Sequence, residues 1–189
     1  MKLRRQLLIC CVAGLGLLCA SISWIAIAAG NNDSDISEQR VKAVFLYKFA
    51  AYVDWPEAIF SQRDSPFVIG VLDADPLEAD LNQVVSGRTI KDHPIVVKRL
   101  RRGDALAGVH ILFIRLSSER GQDWLAAAEG LPILTVTEDD GKHAKTGILH
   151  FVIENNRVRF EVSRDAAERN GLRLSAQLLA VAKQVHGAP

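Results

Sequence analysis

The stretch VKAVFLYKFAAYVDWP, residues 41–56, decides the reading of the fold. Val41, Val44, Phe45, Phe49, Tyr52 and Val53 recur at three- and four-residue steps, which predicts one apolar stripe along an amphipathic helix. Lys42 and Lys48 fall off that stripe. Asp35 is placed to cap the start, with Glu38 three residues on as the other half of a capping box. Pro56 is expected to end the helix, because a proline pushes its preceding residue out of the α region. Apolar side chains of this size do not stay in water, so the rest of the chain must supply a cover.

Upstream, Lys2, Arg4 and Arg5 precede an uncharged run over residues 7–29, and Ala26, Ile27 and Ala28 offer small residues at the two positions a signal peptidase reads. This is the order of a secretory signal, so residues 1–28 are expected to be a cleavable signal peptide. The run is long, which makes an uncleaved membrane anchor the rival, but Gly14, Gly16, Ser21 and Ser23 dilute it and favour cleavage. Either topology sends the remainder across a membrane, with the periplasm as the expected compartment. The leader holds three of the 23 basic residues and none of the 22 acidic ones, leaving the remainder near −2. That balance argues against a nucleic-acid partner, which wants a basic face. Cys10, Cys11 and Cys19 all lie in the leader, so the domain beyond it has no disulfide and must hold by its core.

Downstream, FVIGVL (67–72) and VHILFI (109–114) are short apolar runs of the kind that form strands buried on both faces. Asp75 and Pro76 predict the N-cap and first turn of a helix with Leu77, Leu81, Val84 and Val85 inward, stopped by Gly87. Thr89 and Ile90 suggest a short edge strand, and residues 95–100 a longer one in which Ile95 and Val97 alternate with Val96 and Lys98. A helical turn is expected within residues 103–108, then a helix capped by Ser117 or Ser118, then a strand over 133–136. Residues 148–153 and 157–162 form a hairpin across Asn155 and Asn156, which tolerate the positive φ of a tight turn. Asp165 is expected to cap a helix closed by Gly171, and Ser175 a last helix with Leu178, Leu179, Val181 and Ala182 inward. The order predicts an α/β three-layer sandwich, with a mostly parallel sheet, an antiparallel edge hairpin and helices on both faces. One domain over residues 37–186 is expected.

The segments VKAVFLYKFAAYVDWP, FVIGVLDADPL, GRTIKDHPIVVKRL, VHILFI, ILTVTE and the tail from GILHFVIENNRVRFEVS to LLAVA together resemble the YfiR family of bacterial periplasmic proteins. The resemblance implies a dimeric α/β domain without catalytic activity or cofactor. It also implies a repressor that binds the periplasmic part of an inner-membrane diguanylate cyclase, holding down cyclic di-GMP and biofilm formation. Some relatives carry paired cysteines, and this domain has none, so a thiol switch is excluded.

Other constellations compete with this reading. Asp73 and Asp75 follow a strand as the paired aspartates of a haloacid-dehalogenase-type phosphatase do, with Ser117, Asp139 and Asp140 as later counterparts. Leu77 stands where that chemistry needs threonine, and no lysine lies between Ser117 and Asp139. His143 and His150, near Asp139 and Asp140, are metal candidates, but their seven-residue spacing matches no common ligand pair. A small-molecule-binding domain is the further alternative, since open α/β sheets bind ligands beyond their strand ends. Trp55 and Trp124 near helix ends are candidate contact anchors. Leu172 and Leu174, between two capped helices, would extend an apolar patch with Leu178 if exposed. The candidate partner-binding residues are thus Trp55, Leu172, Leu174 and Leu178.

Overall fold

A computed structural model describes residues 30–56, 59–60, 64–72, 74–116, 119–138 and 147–187, with side chains from Glu38 onward. The expected signal peptide, Asp73, Ser117, Ser118, Asp139, Asp140 and His143 lie outside the described residues. The chain divides into two compact units, Met1–Asp35 and Ile36–Pro189, and the sheet belongs to the second.

The elements run α1 (Gly30–Ala51), β1 (Val53–Asp54), β2 (Phe67–Leu72), α2 (Asp75–Val85), β3 (Thr89–Ile90), β4 (His93–Arg99), β5 (Ile111–Arg115) and α3 (Glu119–Ala127). They continue with β6 (Leu134–Glu138), β7 (Leu149–Glu154), β8 (Arg157–Ser163), α4 (Arg164–Arg169), β9 (Arg173–Leu174), α5 (Ala176–Val181) and β10 (Gln184–His186). The main sheet has the order β10-β8-β7-β6-β5-β2-β4-β3. Its centre, β4 to β7, is parallel, and antiparallel pairs form at β7–β8 and β3–β4. The order reverses between β2 and β5, which makes their carboxyl ends a topological switch point. This is the expected three-layer α/β sandwich.

Both faces of the central strands are covered, as their unbroken apolar runs require. On one face α1 and α2 set Ala43, Leu46, Phe49, Leu77 and Leu81 against Phe67, Ile69, Phe113, Val136 and Phe151. Phe49 meets Phe160 edge-on at 5.0 Å and stacks on Phe151 at 5.8 Å. On the other face Trp124 and Leu125 of α3 cover Leu72, Leu112 and Ile114.

Local chemistry sets several boundaries as read from the sequence. Asn155 (φ 49°) and Asn156 (φ 59°) make the β7–β8 turn. Gly171 (φ 67°) ends α4 in a Schellman arrangement: its N–H reaches the Glu168 carbonyl, and that of Leu172 the Ala167 carbonyl. Ser175 Oγ caps α5 by accepting from the Leu178 N–H.

Several expectations need correction. The helix begins at Gly30, so Asp35 lies inside it, and it ends at Ala51 and not at Pro56, because Val53 and Asp54 pair with Leu174 and Arg173 instead. Its buried face is Gln39, Lys42, Ala43, Leu46, Phe49 and Ala50, while Val41, Val44 and Tyr52 are exposed. The stripe is rotated because Lys42, expected outside, has acidic partners within. Asp75 is the first residue of α2 and not its cap; Ala74 takes that position without a side-chain bond, and Asp75 pairs with Arg99 at 3.1 Å. Residues 103–108 form turns and no helix. Ser163, and not Asp165, caps α4 through the Ala166 N–H. Val181 faces water, because the chain turns back after α5 to add β10 alongside β8.

Gly147 tests the tightness of this packing. Its N–H donates to Thr137 Oγ1 at 2.9 Å, and a Cβ there would sit 2.7 Å from the Thr135 carbonyl oxygen. Backbone must shift to admit it, so Gly147→Ala is expected to cost roughly 1–3 kcal/mol. Urea denaturation measures this; an unchanged midpoint would show that the β6–β7 junction has slack.

Candidate functional site

Beyond the carboxyl ends of β5 and β6 lies a charged cluster. Glu138 ends β6 and is buried, although it is the acid of that strand. Lys42 reaches it from α1, with its ammonium also bonded to Glu38 Oε1 at 2.5 Å one helical turn earlier. Arg115, at the end of β5, donates to the other Glu138 oxygen at 2.8 Å. Two cations and two carboxylates thus answer one another where an α/β sheet commonly holds its ligand. The buried Lys42–Glu138 pair joins α1 to β6, so the arrangement works as a clamp of α1 onto the sheet. The available sequence signal for it is the Glu38–Lys42 spacing of four; Glu38 is expected instead in a capping box with Asp35.

A second cluster stacks aromatic rings with two histidines. Phe67, His110, Phe60 and His93 lie in series, with ring centroids 4.7, 5.0 and 4.2 Å apart. Trp55 meets Phe67 edge-on at 5.1 Å. His110 Nδ1 accepts the Val68 N–H at 3.1 Å, which leaves the ring proton on Nε2, buried and without a partner. The Trp55 indole N–H is likewise buried and unpaired. Burial, and secondarily the neighbouring His93, push the His110 pKa down to about 4. A histidine inside the apolar run VHILFI was the available signal.

The sequence-selected residues converge on a two-stranded ribbon. Val53 and Asp54 of β1 pair with Leu174 and Arg173 of β9, and the Ser175 N–H bonds the Tyr52 carbonyl. Trp55, Leu172 and Leu178 are buried in the main core, so the exposure on which a contact role would rest is not theirs in the single chain. Leu174 is half-buried and lines a groove of about 190 Å³ with Leu179, Arg164, Glu168 and Arg173. A wider groove of about 530 Å³ runs between α3 and α4 over Thr135 and Ile148. Asn170, missed in the sequence, braces it: its amide donates to the Ala128 and Ile133 carbonyls and accepts the Gly130 N–H.

A family model for YfiR/HmsC-like proteins matches residues 39–183. The chain belongs to the YfiR/HmsC-like family. Among curated proteins no sequence match was found. The matched span includes Lys42, Arg115 and Glu138 of the clamp, the histidine stack and the β1–β9 ribbon of this YfiR/HmsC-like domain, whose family is regulatory in character. Among the described residues no group of three or more His, Cys, Asp or Glu is placed to hold a metal ion, and His150 Nδ1 lies 3.0 Å from Thr137 Oγ1. Among the described residues no helix is long and apolar enough to cross a membrane.

Two measurements probe the clusters. Lys42→Met should destabilise by roughly 2–4 kcal/mol, because it strands Glu138 beside Arg115 alone. Lys42→Met combined with Glu138→Leu should recover most of that loss in chemical denaturation; an additive double variant would mean that the two residues act separately. For His110, the folded pKa lies below the unfolded value, so the unfolded chain takes up the proton first. Its contribution is intact above about pH 6.5 and is lost as pH falls toward about 4, by roughly 3 kcal/mol. His110→Phe should flatten the slope of unfolding free energy against pH in that window; an unchanged slope would assign the acid sensitivity elsewhere.

Proposed function

We propose that this YfiR/HmsC-like domain acts in the periplasm as a repressor of an inner-membrane diguanylate cyclase. It binds the enzyme's periplasmic part and so lowers cyclic di-GMP and biofilm formation. The observation that carries this reading is the family match across residues 39–183, and the leader-like N-terminus agrees with export. The effect is differential binding: the domain favours the inactive state of its partner by no more than its difference in affinity for the two states. Leu174 is the contact residue in this reading, with Trp55, Leu172 and Leu178 holding the β1–β9 ribbon in shape beneath it. A homodimer belongs to the same reading. The groove between α3 and α4 favours a second one, a periplasmic small-molecule-binding domain, for which a thermal-shift screen of metabolites is the direct assay.

The protein expressed from its full chain should co-purify with the periplasmic segment of a membrane cyclase. Leu174→Glu, on a half-buried site and with its fold checked by circular dichroism, should weaken that capture at least about tenfold. Deleting the protein should raise cellular cyclic di-GMP. An unchanged level, together with no capture, would remove the reading.

A further inference from the structure

The main sheet ends at β10, and the strand beside it is the seven-residue β8. β10 covers only Glu161, Val162 and Ser163 of β8; among the described residues no strand pairs with residues 157–160 on that side. Two bonds fix which way the β8 backbone points. The Ser163 N–H donates to the Ile148 carbonyl at 2.8 Å, toward β7, whereas the Phe160 carbonyl accepts the Lys183 N–H at 2.8 Å from the other side. Alternation along the strand then turns the N–H and C=O groups of Val158, Phe160 and Val162 toward β10. All three β10 residues are exposed, so backbone bonds and ion pairs carry its attachment. Lys183 lies 3.6 Å from Glu161 and 3.4 Å from Glu154, and His186 lies 3.4 Å from Glu161. Pairs this open to water hold weakly.

We propose that β10 is a displaceable strap, and that its release lets two copies of the chain join through β8, antiparallel and centred on Phe160. The β8 sequence, RVRFEVS, selects this occupant because it is complementary to itself. With Phe160 opposite Phe160, Val158 meets Val162 and Arg159 meets Glu161, each twice across the two-fold axis. Val158, Phe160 and Val162 are the residues whose backbone groups face outward, so this register closes ladder bonds. Their side chains share the face that packs into the main core, and the apolar layer continues from one copy to the next. Arg159 and Glu161 lie on the opposite face and pair across the strands. Arg159 of the copy thereby replaces the cations that Lys183 and His186 of the strap bring to Glu161. Centring on Val158 instead would set Arg157 against Arg159. Sheet edges left open invite such pairing, and β10 blocks it. The inference is independent of the cyclase reading, and the test reads a change in association, whatever the state of the intact chain.

Sedimentation velocity compares the protein expressed from its full chain with a form ended at Ala182, its fold checked by circular dichroism. The shortened form should self-associate at a concentration at least about tenfold lower. Arg159→Glu in that form sets glutamate against Glu161 and should abolish the gain; adding Glu161→Arg should restore it. In the intact chain, His186→Pro removes a strap N–H and the ring beside Glu161, and should produce part of the same gain. That variant carries the test if the shortened form does not fold. Unchanged association in the folded variant overturns the proposal, as does a gain that Arg159→Glu leaves intact. If the shortened form does not self-associate but binds a labelled heptapeptide of alternating valine and threonine, the edge takes a foreign strand and the proposal also fails.

Discussion

An ammonium taken out of water must be answered, and Lys42 is answered by Glu138 and Glu38. Removing the ions from water costs several kcal/mol each, so the attraction between them does little for net stability. What it does is choose a rotation. Val41 and Val44 lie on the face opposite the buried one, so bringing both inward would take about half a turn of α1 and strand both Lys42 and Glu138. The observed rotation keeps the charges paired and places Ala43, Leu46 and Ala50 against the sheet, where small side chains allow close approach. Phe49 then enters the aromatic group of Phe151 and Phe160. The apolar contacts supply the energy, and the ion pair decides which of two apolar faces receives them.

The same pair shapes what the sheet can offer outward. In many α/β folds the carboxyl ends of the strands present free side chains to a ligand. Here Arg115 and Glu138, at the ends of adjacent strands, are engaged with each other and with α1. Further charge sits elsewhere, on Asp104 and Asp123 beside Trp124, and on Arg164 and Arg173 beside Leu174. Both settings place charge beside half-buried apolar side chains.

What the sequence made legible follows from the range of the forces involved. FVIGVL and VHILFI read correctly because a strand covered on both faces admits no alternation. The Asn155–Asn156 turn, the Gly171 helix end and the Ser175 cap also read correctly, since each is decided within a few residues of itself. The burial of α1 did not, because its arbiter, Glu138, lies 96 residues away from Lys42. Asp75 and Asp165 were assigned as caps on propensity alone, whereas Ala74 and Ser163 hold the positions, Asp75 being drawn to Arg99 from a neighbouring strand. β10 has no apolar signature, since all three of its residues are exposed and its pairing with β8 is a backbone matter. For the candidate site the limit is the same. Leu178 is inward as its helix predicts, whereas the burial of Leu172 beside the β1–β9 pairing is invisible along the chain.

A protein that acts by binding transmits its effect only as a difference in binding free energy, so the rigidity of a contact surface matters. Ordering side chains and loops at an interface costs part of the gross interaction. The β1–β9 ribbon holds the half-buried Leu174 in place. It fixes Leu174 to Val53 by register, anchors Ser175 to Tyr52 by a backbone bond, and seats Trp55 against Phe67 beneath. Asn170 performs the corresponding service for the end of α4, with three hydrogen bonds to the α3–β6 turn. Against this stiffness stands the histidine stack, where His110 and Trp55 bury donors without partners. Such groups weaken the region that carries them. The contacts of Trp55 and His110 with Phe67 thus join the ribbon's support to the histidine stack.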